Sequence, residues 1–194
     1  MEPLDLRART RLAVRADISN AAMTLFLEQG FAATTIDQIA ETVGISRRSL
    51  FRYFTSKEDI AVANVTERGN AVLAALQARD TNEGPWEALR AAVFQAEGFG
   101  PTEVTDETLR ISRLLRENPS LQGFRLEKQK QWQELLAPEI AKRLKDVEDP
   151  ESAARGIVAA ALACVDAAVD IWVARGGTGD VFELFENMVA AVRR

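Results

Sequence analysis

Residues 31–58, FAATTIDQIAETVGISRRSLFRYFTSKE, decide how this chain is read. Thr35 is placed to cap a helix, and Gln38 three residues later completes a capping box. Ile36, Ile39, Ala40 and Val43 recur at helical spacing, which predicts a short helix with one apolar face. Gly44 permits a tight turn, Ile45 plugs the core, and Ser46 caps the next helix. That second helix opens with Arg47, Arg48 and Ser49, continues through Arg52, and interleaves Phe51, Tyr53 and Phe54. Between Thr42 and Lys57 there are four basic residues and no acidic one. A helix start dressed this way suits the DNA major groove, where arginine forks reach guanine edges and hydroxyls and amides grip phosphates.

The same stretch follows a longer pattern: glycine, hydrophobic, serine, arginine, any, serine or threonine, leucine, aromatic, any two, phenylalanine, any, serine, lysine, glutamate. It is carried here by Gly44, Ile45, Ser46, Arg47, Ser49, Leu50, Phe51, Phe54, Ser56, Lys57 and Glu58. Together with the helix before it, this string resembles the TetR family of bacterial regulators over roughly the first third of the chain. The resemblance implies roles residue by residue. Arg47 and Arg48 reach base edges from the first turn of the recognition helix, with Ser46, Ser49 and Arg52 at DNA-facing positions beside them. Phe51 stands where the family commonly has tyrosine, so it contacts a thymine methyl or sugar, or packs in the core. Tyr53 stands where histidine is common and offers its hydroxyl to a phosphate. Lys57 is placed as a phosphate clamp at a helix start. Thr34 and Thr35 offer hydroxyls or amides to phosphate, Leu50 and Phe54 read as core, and Arg7, Arg9 and Arg11 form either an arm on the DNA or a frayed terminus.

Charge partitions in the same sense. Residues 1–57 hold eight Lys or Arg against six Asp or Glu, and the remainder holds sixteen against twenty-three, for a net charge of -5. An acidic body repels DNA, so double-stranded DNA is expected at the N-terminal end alone. The single cysteine, Cys164, fits a reducing compartment, and MEPLDLRARTRL lacks the apolar centre of a signal peptide. The longest apolar run, Ile157 to Val165, is short of a membrane span, so a cytoplasmic protein with no membrane partner is expected.

Helices account for almost the whole chain and strands for none of it, giving an all-α fold. The first spans about Arg9 to Gln29 and ends at Gly30. Ser56 and Asp59 cap a long helix to about Arg79, and Pro85 opens one that ends near Gly98. Gly100-Pro101 marks a loop, Thr105 starts another helix, and Asn118-Pro119 restarts it as a long one to about Leu144. Asp149-Pro150 opens the most apolar helix, and Asp180 with Glu183 caps the last. Nine helices in this order are similar to the family's layout: a three-helix DNA-binding head carrying the helix-turn-helix, residues 1–55, and a six-helix ligand-binding and dimerisation body, residues 56–194.

In the body, Val158, Leu162, Val165, Val169 and Trp172 form one apolar stripe, and Ile157, Ala161, Cys164, Ala168 and Ile171 a second. With Val181, Leu184, Phe185, Met188 and Val192 on the last helix, the first stripe predicts a four-helix homodimer interface. Phe94, Phe99, Ile111, Leu114, Phe124, Trp132 and Leu135 are candidates to line an effector cavity, with Arg113 for an anionic head; packed core and solvated rim are the competing readings. Asp166 and Asp170 lie four apart, but the chain has no histidine to join them, so no metal, cofactor or catalytic group is expected. The phrases RRSLFRYFTSKED and WVARGG look like the branch whose C-terminal domain is that of the mycofactocin-system regulator, which implies effectors of acyl-CoA type. The reading is a ligand-responsive repressor released from a near-palindromic operator; the alternative is a helical small-molecule carrier with a non-functional helix-turn-helix.

Overall fold

The structure is a computed structural model and describes residues 6–97 and 106–193. Ten helices and no strand occur among the described residues. Helix α1 (Leu6–Gln29) ends at Gly30, whose φ of 91° turns the chain into α2 (Ile36–Thr42). The capping box forms as read: the Thr35 hydroxyl accepts from the Gln38 amide at 3.2 Å, while Gln38 Oε1 accepts from the Thr35 amide at 2.8 Å. Gly44, at φ 70°, makes the turn to α3 (Arg47–Leu50), which Ser46 caps by accepting from the Ser49 amide at 3.1 Å.

Past Ser56 the long helix expected to reach Arg79 is two helices, α4 (Lys57–Ala61) and α5 (Ala63–Gln77), interrupted at Val62. Ser56 accepts from the Asp59 amide as expected. Asp59, however, reaches back one residue further and accepts from both the amide and the hydroxyl of Thr55 at 3.0 and 3.1 Å. Helix α6 (Pro85–Glu97) has its proline at the first position, and α7 (Asp106–Glu117) and α8 (Pro119–Ala141) meet at Asn118. The loop expected at Gly100-Pro101 and the start at Thr105 lie outside the described residues. Helix α8 stops short of Leu144, where Arg143 turns back and donates to the carbonyls of Glu139 and Leu76 at 2.8 and 2.9 Å. Helices α9 (Pro150–Ala174) and α10 (Val181–Val192) start at Asp149 and Asp180, the latter accepting from the Phe182 amide.

The chain forms two compact units: one comprises the described residues of Met1–Val65 with Arg113–Arg125, the other those of Thr66–Ser112 with Leu126–Arg194. In the first, Ile18, Ala22, Phe26, Ile39, Leu50, Phe54 and Ile60 are buried, so α1 packs on α2 and α4 while Leu50 and Phe54 anchor α3 from beneath. Ser19, also buried, donates to the Ile60 carbonyl at 3.1 Å.

In the second, Cys164, Ala168, Val169, Trp172, Val181, Phe185 and Val189 form a core cluster with Trp86, Phe94 and Leu109 against it. By length and composition alone α9 is apolar enough to cross a membrane, which the shorter run Ile157 to Val165 did not reveal. Its apolarity has an internal use, since the helix contributes eight buried residues.

Candidate nucleic-acid interface

The surface of the first unit is organised around α3. Leu50 and Phe54 point inward, so the residues between and before them point out. Arg47, Arg48 and Arg52 are exposed, as are Thr35 and Ser46, and Ser49 is half-buried against Ser46, their hydroxyls 3.0 Å apart. Phe51 is 44% exposed, which removes it from the core and leaves an aromatic face on the outer surface of this segment. Arg47 Nη1 contacts both carboxylate oxygens of Asp37, at 3.3 and 3.0 Å, and its guanidinium carbon lies 5.6 Å from the Phe51 ring centre.

The far end of this short helix is held from α1. Arg11 donates to the Arg52 carbonyl at 3.2 Å and lies 5.8 Å from the Tyr53 ring centre. Arg15 donates to the Tyr53 carbonyl and stacks 4.2 Å from the Phe54 ring centre. Two cations one helical turn apart therefore close the carbonyl end of the recognition segment, a favourable place for positive charge. Arg11 thus has a folded position in α1, and Arg7 and Arg9 are exposed on the same helix. The sequence signal for this brace was the Arg11–Arg15 spacing, which pointed nowhere until α1 and α3 were brought together.

Two residues assigned to phosphate have their polar groups committed inside the protein. Thr34 is 1% exposed; its hydroxyl donates to the Gly30 carbonyl at 2.9 Å and accepts from Gln29. Lys57 Nζ donates to the carbonyls of Phe31 at 2.6 Å and Thr34 at 2.9 Å, and lies 4.4 Å from the Phe31 ring centre. The ammonium thus clamps the turn between α1 and α2 where a phosphate clamp was expected. Tyr53 is half-buried, with its ring under Arg11.

The residues proposed for ligand are divided between the two units. Phe94 packs edge-on against Phe182 and Phe185, ring centres 4.5 and 5.1 Å apart, and so belongs to the core. Trp132 is buried against Gly69, and Leu135 and Ile111 are half-buried in the same unit. Arg113, Leu114 and Phe124 fall in the other unit, where Arg113 faces Glu117 at 3.6 Å, and Phe99 lies outside the described residues. A cleft of about 570 Å³ is lined by Ala75, Ala78, Arg79, Asn82, Glu83 and Gln95, none of them among the expected residues. Most of the expected dimer residues are buried or half-buried within the single chain. Val158, Leu162, Val169, Trp172, Val181 and Phe185 are buried, Val165, Leu184 and Met188 pack against the same core, and only Val192 is exposed. No group of metal-ligating side chains occurs among the described residues.

Comparison with known proteins agrees with this architecture. The family described as "Bacterial regulatory proteins, tetR family" matches residues 18–63, and the "MftR C-terminal domain" matches residues 83–194. The chain is 35% identical over 143 residues to the HTH-type transcriptional regulator TcmR of Streptomyces glaucescens, a match covering 71% of this chain and 63% of TcmR. It is 31% identical over 135 residues to a Mycobacterium tuberculosis protein named as the mycofactocin biosynthesis transcriptional regulator MftR, covering 70% of this chain and 68% of that one. In three dimensions it resembles Thermus thermophilus FadR, a transcriptional repressor solved with lauroyl-CoA, with a TM-score of 0.51, 25% identity and 91% of each chain covered. The all-helical chain, with its helix-turn-helix at the N-terminal end, therefore belongs to the TetR family of bacterial regulatory proteins and carries an MftR-type C-terminal domain.

Proposed function

We propose that the protein is a cytoplasmic, homodimeric regulator that binds a near-palindromic operator and is released from it by a small molecule of acyl-CoA type. The observation that carries this reading is the outer surface of α3. Arg47, Arg48 and Arg52 stand exposed beside Phe51, on a segment fixed by buried Leu50 and Phe54 and closed by Arg11 and Arg15. A carrier has no use for a four-residue helix braced at both ends with its cations facing out. In this reading Arg47 and Arg48 contact base edges, while Ser46, Ser49, Arg52 and the α2 start at Thr35 contact the backbone. Lys57 and Thr34 support that surface from within.

Two half-sites require two heads, and the surface proposed for pairing is the outward face of α9. Gly156, Ala160, Ala163 and Ala167 follow one another there at helical spacing, opposite the buried stripe. Small side chains let a second helix approach closely. Lauroyl-CoA in the T. thermophilus relative supports the effector class. An acyl-CoA would act by binding one of two arrangements of the dimer more tightly than the other.

The test is binding of the purified chain to DNA upstream of its own coding sequence, against scrambled DNA, across salt, with and without lauroyl-CoA. Selective binding that weakens with salt and with lauroyl-CoA is expected. Equal affinity for scrambled and selected DNA would leave the carrier reading in its place.

A further inference from the structure

Arg47 is paired with an acid, and acids are unwelcome at a DNA surface. Asp37 sits at the second position of α2 and is 66% exposed, with Arg47 60% exposed opposite it. An exposed pair of this kind contributes little to folding stability. The geometry gives it another use. Both carboxylate oxygens are taken by a single nitrogen, Nη1, at 3.3 and 3.0 Å, leaving the Nε–Nη2 edge of the guanidinium outside the contact. That edge carries two parallel N–H groups, the arrangement that meets O6 and N7 of guanine. The Phe51 ring, 5.6 Å from the guanidinium carbon, borders the same group.

We infer that Asp37 is a positioning residue for base readout: it holds Arg47 through Nη1 so that the Nε–Nη2 edge is presented to one guanine in each half-site. The inference rests on the DNA-binding reading above and adds to it the residue that sets specificity at one base pair. An arginine held in one orientation loses less freedom on docking and rejects a wrong base more sharply than one that can swing to a phosphate. The two possible uses of Asp37 have opposite signatures. As a simple negative charge it weakens binding to any DNA, so its removal tightens all sequences alike. As a positioning residue it sharpens choice, so its removal lowers discrimination at one position and leaves the rest.

The experiment selects the preferred sequence of the wild-type protein from random DNA. It then measures affinities of wild type, Asp37→Asn, Arg47→Ala and the double variant for that sequence, its single-base changes and scrambled DNA. Thermal melts show whether each variant is folded. Asp37→Asn is expected to cost about three- to tenfold in discrimination at one guanine, with scrambled DNA bound as well as before or slightly better. Arg47→Ala should lose discrimination at the same guanine, and adding Asp37→Asn to it should change nothing further. Glutamate in place of Asp37 should restore part of the loss. An unchanged base profile for Asp37→Asn, a uniform loss across all sequences accompanied by a lower melting temperature, or a full effect persisting in the Arg47→Ala background would each overturn the inference. Failure of the wild type to prefer any sequence would instead overturn the DNA-binding reading itself.

Discussion

Lys57 shows how a residue type in the right motif can still be given a different task by its surroundings. Its ammonium lies within 2.6 and 2.9 Å of the Phe31 and Thr34 carbonyls, so its N–H groups satisfy acceptors of the turn between α1 and α2. Hydrogen bonds from a charged donor to such acceptors are each worth roughly 1.5–3 kcal/mol when partly buried. Replacing Lys57 by methionine keeps the stem and removes the charge, and it should destabilise the N-terminal unit by about 2 kcal/mol in urea denaturation. DNA affinity would fall in step with the folded fraction. A variant of unchanged stability with a shallower salt dependence of DNA binding would return Lys57 to the phosphate. Arg48 is the contrast. It is exposed and stands in the first turn of α3, so Arg48→Ala should leave the melting temperature within a degree or two while relaxing base preference. Why one residue was legible in the sequence and the other was not follows directly. The motif fixes which residues line the turn, but the reach of a lysine stem to carbonyls twenty-three and twenty-six residues away is a tertiary fact.

At the scale of elements, local chemistry read true wherever it needed only neighbours. Thr35 with Gln38, Ser46, Ser56, Pro85 and Asp149 each start a helix, and Gly30 and Gly44 each turn the chain at positive φ. The break at Val62 carried no such mark, because AVANV contains neither glycine nor proline. The pairing of α5 with α8 was equally silent. Gly69 lies within the α5 segment with nothing in the sequence to single it out, yet a Cβ built there would sit 2.4 Å from Trp132 Nε1. The glycine is what lets the indole lie against the α5 backbone. Alanine at this position should gain about 1 kcal/mol of helix propensity and lose roughly 1–3 kcal/mol to overpacking against a rigid ring. A net loss on the order of 1 kcal/mol, with altered tryptophan fluorescence, is therefore expected from denaturation of Gly69→Ala. A stabilised variant with unchanged emission would show that the ring moves aside without cost.

Over the whole molecule, the carboxylates of the C-terminal unit make acid stability predictable in sign. The Arg79 guanidinium, 2.5 and 2.6 Å from Glu83, holds that carboxyl below its usual range, and Lys142 at 2.6 Å does the same for Glu139. A carboxyl held low stabilises the fold above its ordinary pKa, and that contribution is lost as pH falls through its folded value. Stability should therefore decline on the acid side of the carboxylate range. With no histidine in the chain, it should stay nearly flat between about pH 6 and 8. Melting temperatures across pH would show it, and Glu83→Gln should flatten the acid limb.

Dimerisation turns on which face of α9 is already occupied. Periodicity revealed two apolar stripes on α9 but could not say which partner each meets, because α10 of the same chain and a second chain offer similar surfaces. In the structure Val169 lies in the core cluster shared with α10 and Leu162 is buried, while Ala163 is exposed and Ala167 half-exposed on the far side. Leu162→Ala should therefore act on folding, costing about 2–5 kcal/mol in denaturation, without shifting a folded dimer to monomer. Ala163→Arg should do the reverse. An arginine there is solvated in the single chain but would be buried unpaired against its own two-fold copy, so sedimentation should show a folded monomer. That monomer should still bind a single half-site weakly and lose the added affinity of the paired site. A dimer that survives Ala163→Arg but dissociates with Leu162→Ala would put the interface back on the buried stripe and require the two chains to exchange α10.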